Sequence, residues 1–548
     1  MPTLPALRPA GLMAWIDRNI LALGRELRLS YLPPLMIYLA FSISGLTGIV
    51  GTFFVKDYLG LSAEFLAALG FWTMLPWALK LPLGHLVDLI WRHKALLVFL
   101  GAGLIAASLL IMFGLLSDRA AMAAILPVES WYVLSVLLAP VGYVIQDVVA
   151  DAMTVEAIPR TDLNGRLFSE AEQRLMHSTM QTLGRVATVG GTLLVAAVNV
   201  AMFQGTESLP EPDKLVLYRR IYALALSIPV ISVAGVVLAA ALRRRTARRL
   251  ENLGYTRLEV DALLTVQTER PEPNWWILGG GLAFAAVSVS VGLNRTAYGQ
   301  EIIFLLSMYI VIFLMYQLFD ELTADARAAL VGTAVLIFAF RAVPLPGPGS
   351  SWWMIDVLGF DQAFMARLAL VGSAVSLAGL FLFRRFMAEK SMPYIILTLT
   401  LAGTVLALPT LGMYYGLHEW TAAHTGGLVD ARFIALVDTA LESPLGQISM
   451  VPLLAWIAHS APPHLKATFF AVMASFTNLA LALSQLGTKY LNALFVVTRE
   501  IRDPVSGIVS VPADYSQLGP LLIAVIVLGL AIPLGAIAVV KLMGWRTV

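Results

Sequence analysis

The chain has 548 residues, of which 59% are hydrophobic and only 13% charged, and its mean hydropathy is +0.80, a balance foreign to a soluble domain. A net charge of +2 offers little to a nucleic-acid partner, and the lack of cysteine excludes disulfides, thiol catalysis and cysteine metal sites. With no long polar block, nearly all of the chain belongs in or beside a bilayer.

In chain order, residues 1–30 read as an amphipathic N-terminal segment. Within 11–29, Leu12, Trp15, Ile16, Ile20, Leu23 and Leu27 form one apolar stripe, while Asp17, Arg18, Arg25, Glu26 and Arg28 break any continuous hydrophobic core. No small-residue cleavage site follows, so the segment predicts an interfacial helix rather than a signal peptide. Apolar runs long enough to cross a hydrocarbon core then recur near 33–55, 65–87, 94–116, 131–154, 180–203 and 220–242. They continue near 275–293, 301–319, 326–343, 364–385, 393–413, 431–458, 467–490 and 519–543, about fourteen in all. An even count puts both termini on one side. With that side inside, cytoplasmic segments hold roughly 23 Lys and Arg against about 9 outside, the excess expected of a cytoplasmic face.

The sixth run ends in Arg243-Arg244-Arg245 with Arg248 and Arg249, which marks 243–273 as a cytoplasmic linker between halves. The resulting division is 31–242 for an N-terminal six-helix bundle, 274–320 for an inserted helix pair and 321–548 for a C-terminal six-helix bundle. The outer loop 491–518, with Asp503-Pro504, Gly507 and Pro512, carries no motif that can be interpreted.

Acidic pairs stand where lipid should be. Asp147 and Asp151 close one apolar run, and Asp438 and Glu442 lie inside another, one pair per half. A spacing of four sets each pair on one helix face, and a carboxylate at membrane depth survives only against a polar interior. The reading open to both pairs is proton coupling or an interhelical ion pair that fixes packing. Basic partners at or near membrane depth are Arg185, Arg341, Arg367 and Lys80. An arginine fork can hold a carboxylate of a cargo, so Arg185 and Arg341 are candidate binding residues, or else neutralise the acids; Lys80 and Arg367, near helix ends, are expected to snorkel. Asn478 and Gln485, seven apart on one helix, are candidates for hydrogen bonds to a cargo or to another helix. Trp72, Trp77, Tyr143, Phe168, Tyr316 and Trp456 could stack on a flat ring or simply fill the core.

The turn after the second run reads Gly84, Asp88, Arg92 and Lys94, with a partial echo at Gly379, Arg384-Arg385 and Lys390 in the second half. It resembles the loop motif of the major facilitator superfamily. Ser44-Gly45-Leu46 through Lys56-Asp57-Tyr58-Leu59-Gly60-Leu61-Ser62, then Leu75-Pro76-Trp77 through Gly84, is similar to the first two helices of the folate-biopterin transporter family. Gln146-Asp147 through Asp151-Ala152 resembles that family's fourth helix, and Pro462-Pro463 through Ser475, Asn478 and Gly487 its late helix. The family commonly has an acid near the position of Lys466 and a longer basic stretch than Arg92-His93-Lys94. Asp147 and Asp151 also suit the related muropeptide permeases.

No metal-binding histidine pair, phosphate-binding glycine loop or nucleophile arrangement is present, so neither an enzyme nor an ATP-driven pump is expected, and no cofactor. The resemblance implies an all-α polytopic membrane protein of the major facilitator fold. It would move a small organic solute, a folate or pterin-like anion, with protons by alternating access at a site between the halves. Expected partners are that solute, protons and the lipid bilayer, with the chain a monomer of the inner membrane. A muropeptide or other amphiphile is the alternative cargo, and a non-transporting assembly or receptor protein of the same fold is the alternative of another class.

Overall fold

The computed structural model describes residues 25–547 apart from 79, 163–165, 207–208, 265–272, 274, 294–295, 297, 320–323, 384–389, 461–465 and 503–508. Most of the expected N-terminal amphipathic helix, the side chain of Trp456, Arg384-Arg385 and Pro462-Pro463 lie outside the described residues. Among the described residues, eleven helices are long and apolar enough to cross a membrane.

The first span starts at Pro33 and Pro34, tolerated in a first turn where an N–H would be unpaired anyway. It runs as α1 (Leu32–Ser42), a 3-10 stretch Ile43–Thr47, and α2 (Gly48–Tyr58). Next come α3 (Ala63–Ala78) and α4 (Lys80–Leu89), the described parts of one span on either side of position 79, then α5 (Ala95–Ser117) and α6 (Val128–Glu156). The long α7 (Glu170–Phe203) opens with a capping box in which Ser169 and Glu172 satisfy each other's backbone N–H. The sixth span is α8 (Glu211–Ala225) with α9 (Ser227–Asn252); α9 continues through the arginine cluster, so helix replaces the first part of the expected linker.

Tight packing in the first half comes from glycine. A Cβ on Gly101 of α5 would lie 2.7 Å from the Gly142 carbonyl of α6, and one on Gly142 would lie 2.6 Å from the Gly101 carbonyl. Backbones this close leave no room for a side chain, so Gly142→Val is expected to cost about 3 kcal/mol by overpacking. Thermal unfolding in detergent measures this, and an unshifted midpoint would mean that the two helices can part freely.

The inserted pair is α10 (Trp275–Leu293) and α11 (Gly299–Phe319). Phe284 of α10 and Ile303 and Phe304 of α11 join a buried cluster with Phe71 of α3 and Phe476 of a late helix, while Trp276, Leu282 and Tyr309 face outward. The pair therefore packs outside, over the seam between the halves.

In the second half, α12 (Ala324–Arg341) occupies the expected run at 326–343, and a short helix not expected from the sequence, α13 (Pro348–Asp356), follows it. Pro344, Pro346 and Pro348 remove the N–H groups that helix continuation needs, and Gly347 takes a φ of +78°, which a glycine allows without strain. The freed backbone is stitched to the neighbouring helix. Ser484 donates to the Val343 carbonyl, Thr488 accepts from Leu345 N, and Asn492 donates to the Pro346 carbonyl, all from one face. The remaining helices are α14 (Gln362–Leu382), α15 (Met392–Tyr414), α16 (Ala431–Ser460), α17 (Lys466–Leu494) and α18 (Leu518–Leu542). Between the last two, strands β1 (Ile501–Arg502) and β2 (Val509–Val511) pair antiparallel.

Two bundles result. α1 to α9 pack among themselves, as do α12 to α18, and the halves meet mainly where α3 lies on α17 and α7 on α14.

Candidate functional site

The face of α6 that carries Tyr143, Asp147 and Asp151 looks into the first bundle, and its acids are not left to themselves. Lys80 Nζ sits 2.7 Å from Asp147 Oδ2 and 2.8 Å from Asp151 Oδ2, and the Tyr38 hydroxyl of α1 donates to Asp151 Oδ1 at 2.7 Å. Side-chain exposure rises from 15% at Asp147 to 49% at Asp151, so Asp151 is the open end of the cluster. Arg185 of α7 stands within electrostatic reach of Tyr38, Asp147 and Asp151.

Lys80 was expected to snorkel from a helix end; it is instead the cation that bridges both acids. It can do so because α4, to which Lys80 belongs, lies beside α6. The preceding Gln146 is buried and donates to the Val98 carbonyl at 3.1 Å and to Ser232 Oγ at 2.9 Å, which ties α6 to α5 and α9 and fixes the rotation of the acid-bearing face. Its place beside Asp147 in the Gln-Asp pair was the signal available for that role. Tyr38 had none, being one aromatic among many in an apolar run.

The second acidic pair is built differently. Asp438 Oδ2 accepts from Thr410 at 3.4 Å, its Oδ1 is buried without a hydrogen bond, and Glu442 is exposed. Among the described residues no cation lies at ion-pair distance from either acid, so the two halves are not electrostatic mirror images. Arg341 ends α12, just before the break, and is half-buried. Arg367 is exposed on α14. Gln485 of α17 presses on α3, where a Cβ at Gly70 would meet its Oε1 at 2.6 Å, whereas Asn478 is half-buried two turns earlier. Of the candidate residues, the structure brings together Asp147, Asp151 and Arg185 and leaves Asp438, Glu442, Arg341, Asn478 and Gln485 apart from them. Of the aromatics, Trp77 and Tyr143 pack edge-on against Phe41, and Tyr316 faces outward.

The loop motif forms the basic face of the molecule. Arg92 and Arg243 lie 3.7 and 3.8 Å from Asp261 on the short helix Arg257–Leu264, and Lys94 pairs with Glu156 at 2.6 Å. The motif therefore docks the linker onto the first bundle. Among the described residues a Cβ at Gly84 would meet nothing within 4 Å, and Asp88 is exposed near His85.

The opposite face is closed by a lock between halves. Lys56 at the end of α2 pairs with Asp356 at the end of α13 at 2.5 Å, the Tyr515 hydroxyl donates to Asp356 at 2.5 Å, and Arg499 donates to the Lys56 carbonyl. Gln362 of α14 donates to the Tyr218 hydroxyl of α8 at 2.8 Å.

Comparison with known proteins accords with this layout. The BT1 family model matches residues 282–541, from within α10 through most of α18. A folate-biopterin transporter of Synechocystis sp. is 23% identical over 473 residues, covering 85% of this chain and 75% of the relative. The fold is similar to that of solved membrane transporters. A peptide transporter of the POT type, crystallised with sulfate, superimposes with a TM-score of 0.55 at 17% identity over 94% of each chain. The nucleoside transporter NupG gives 0.52 at 11% identity, over 93% of this chain and 99% of its own. The chain is a multi-pass membrane protein.

Proposed function

We propose that the chain carries a folate- or pterin-like organic anion together with a proton. The observation that carries this reading is Lys80 held between Asp147 and Asp151 with Arg185 beside them. Two carboxylates and two cations sum to zero charge. A proton on one carboxylate leaves the cluster at plus one, and a bound anion returns it to zero. A low-dielectric interior penalises an uncompensated charge, so each ligand favours the arrival of the other, and the empty cluster is again neutral. Neither a proton alone nor an anion alone leaves a neutral site, which is the requirement for coupled movement. The name of the Synechocystis relative supports folate or biopterin as the class of cargo.

Both termini and the basic face would lie in the cytoplasm, with the chain a monomer in the inner membrane, because basic residues concentrate on that side. The cargo would then reach the cluster from one side at a time as the halves rock.

Uptake into vesicles under an inward proton gradient tests the reading. Asp147→Asn and Asp151→Asn each leave the cluster at plus one without a proton. Each variant is therefore expected to keep anion exchange and lose gradient-driven accumulation of folate. Accumulation equal to the parent in both variants would remove proton coupling from this cluster.

A further inference from the structure

A cavity of about 520 Å³ lies against the first bundle, lined by residues of α2, α3, α5 and α6 and covered from the second half by Pro348, Ser351 and Trp352 of α13. Among the described residues that line it, none carries a formal charge. Tyr132, Val136, Ala139 and Tyr143 of α6 form one wall, and the same stripe continues one turn further, about 6 Å on, to Asp147. The chamber and the acid–base cluster are thus neighbours along one helix.

Four of its hydroxyl groups share a direction. Thr52 donates to the Gly48 carbonyl, Thr73 to the Gly70 carbonyl, and Ser108 and Ser135 donate to each other's carbonyls. Their hydrogens are spent within the protein, while each oxygen keeps acceptor capacity. A chamber that offers these acceptors suits a ligand that presents N–H groups. The aromatic rings of Tyr132, Tyr143 and Trp352 suit a flat one.

Two glycines make the space. Gly48 and Gly51 line the chamber from α2, and a Cβ at either would meet nothing within 4 Å. After proline, glycine is the least favourable residue inside a helix, and here no close approach of a neighbour explains it. What the two glycines do is enlarge the chamber.

We propose that this chamber seats an uncharged, flat heteroaromatic ring edged with N–H donors, while Lys80 and Arg185 take the anionic part of the same molecule. The inference rests on the cargo reading above and adds which end of the cargo lies where. It gives the solute a length and a polarity: ring toward α13, carboxylate toward α4.

Calorimetric titration of the purified full chain in detergent tests this with three probes: biopterin as ring alone, folate as ring with carboxylates, and p-aminobenzoylglutamate as the tail without the ring. Gly51→Leu is expected to weaken biopterin and folate at least tenfold and to leave the tail compound unchanged. Arg185→Gln should do the reverse, weakening folate and the tail compound but not biopterin. Gly48→Ala, a smaller filling, gives an intermediate loss, and melting temperatures at or above the parent's show that filling has not unfolded the chain. Biopterin bound by Gly51→Leu within twofold of the parent overturns the assignment, as does a parent that binds none of the probes or only the tail. Ring binding that persists while proton-driven accumulation is absent supports the chamber and counts only against the proton step.

Discussion

Replacing Lys80 by Met is expected to have the largest effect of any single substitution in the chain, lowering stability by about 3 kcal/mol and abolishing uptake. The ammonium group touches both acids, at 2.7 and 2.8 Å, and without it Asp147 and Asp151 face each other with the Tyr38 hydroxyl as the remaining hydrogen-bond donor. Breaking a buried ion pair by removing one partner costs about 3 to 5 kcal/mol, and the half-exposed Asp151 places this site at the lower end. Lys80→Met with Asp151→Asn should recover most of the stability, because one acid no longer needs a partner, but not the uptake. Thermal unfolding of the two variants beside the parent, with vesicle uptake, checks both halves of the expectation. A single variant as stable as the parent would show that water already carries the charge of the acids.

Reversing the charge of Lys56 comes second. Lys56 pairs with Asp356 across the halves, Asp57 is 3.3 Å away, and Tyr515 and Arg499 close over the pair. Lys56→Glu places a third carboxylate against two, in a spot where the Lys56 side chain is 13% exposed. The face should part and the population shift toward states open there. Because the chain has no cysteine, a spin-label pair can be placed on α2 and α13 without background, and its distance distribution should move to longer values. The swap Lys56→Asp with Asp356→Lys should restore the parent distribution. A Lys56→Glu distribution identical to the parent would mean that the apolar contacts of Ala363 and Ala366 with the first bundle hold this face alone.

The spans were legible because lipid leaves a strong compositional trace, and the inserted pair stood out by its position between halves. The run ending at 343 was legible, but the helix Pro348–Asp356 beyond it was not, because nine residues are too few to give a spanning hydropathy signal. The acid pair at Asp147 and Asp151 was legible from cost: a carboxylate in an apolar run needs a reason. Its partner was misjudged because distance from a helix end is not depth. Lys80 lies within the span Ala63–Leu89, and the packing of α4 on α6 turns it inward. The equivalence assumed for Asp438 and Glu442 failed for a related reason, since spacing fixes a face but not what a neighbouring helix offers to it.

Two consecutive residues of α11 hold opposite halves. Gln300 donates to the Ala68 carbonyl of α3 at 2.8 Å, and Glu301 accepts from Lys489 of α17 at 2.9 Å and from Tyr490. Successive Cα atoms are about 3.8 Å apart, a length that no thermal motion stretches. While both anchors hold, the edge of the interface beneath them can rotate but cannot widen. At the start of α11 the inserted pair thus ties α3 to α17 at one point of the seam, and an opening between the halves that keeps both anchors must turn about that point.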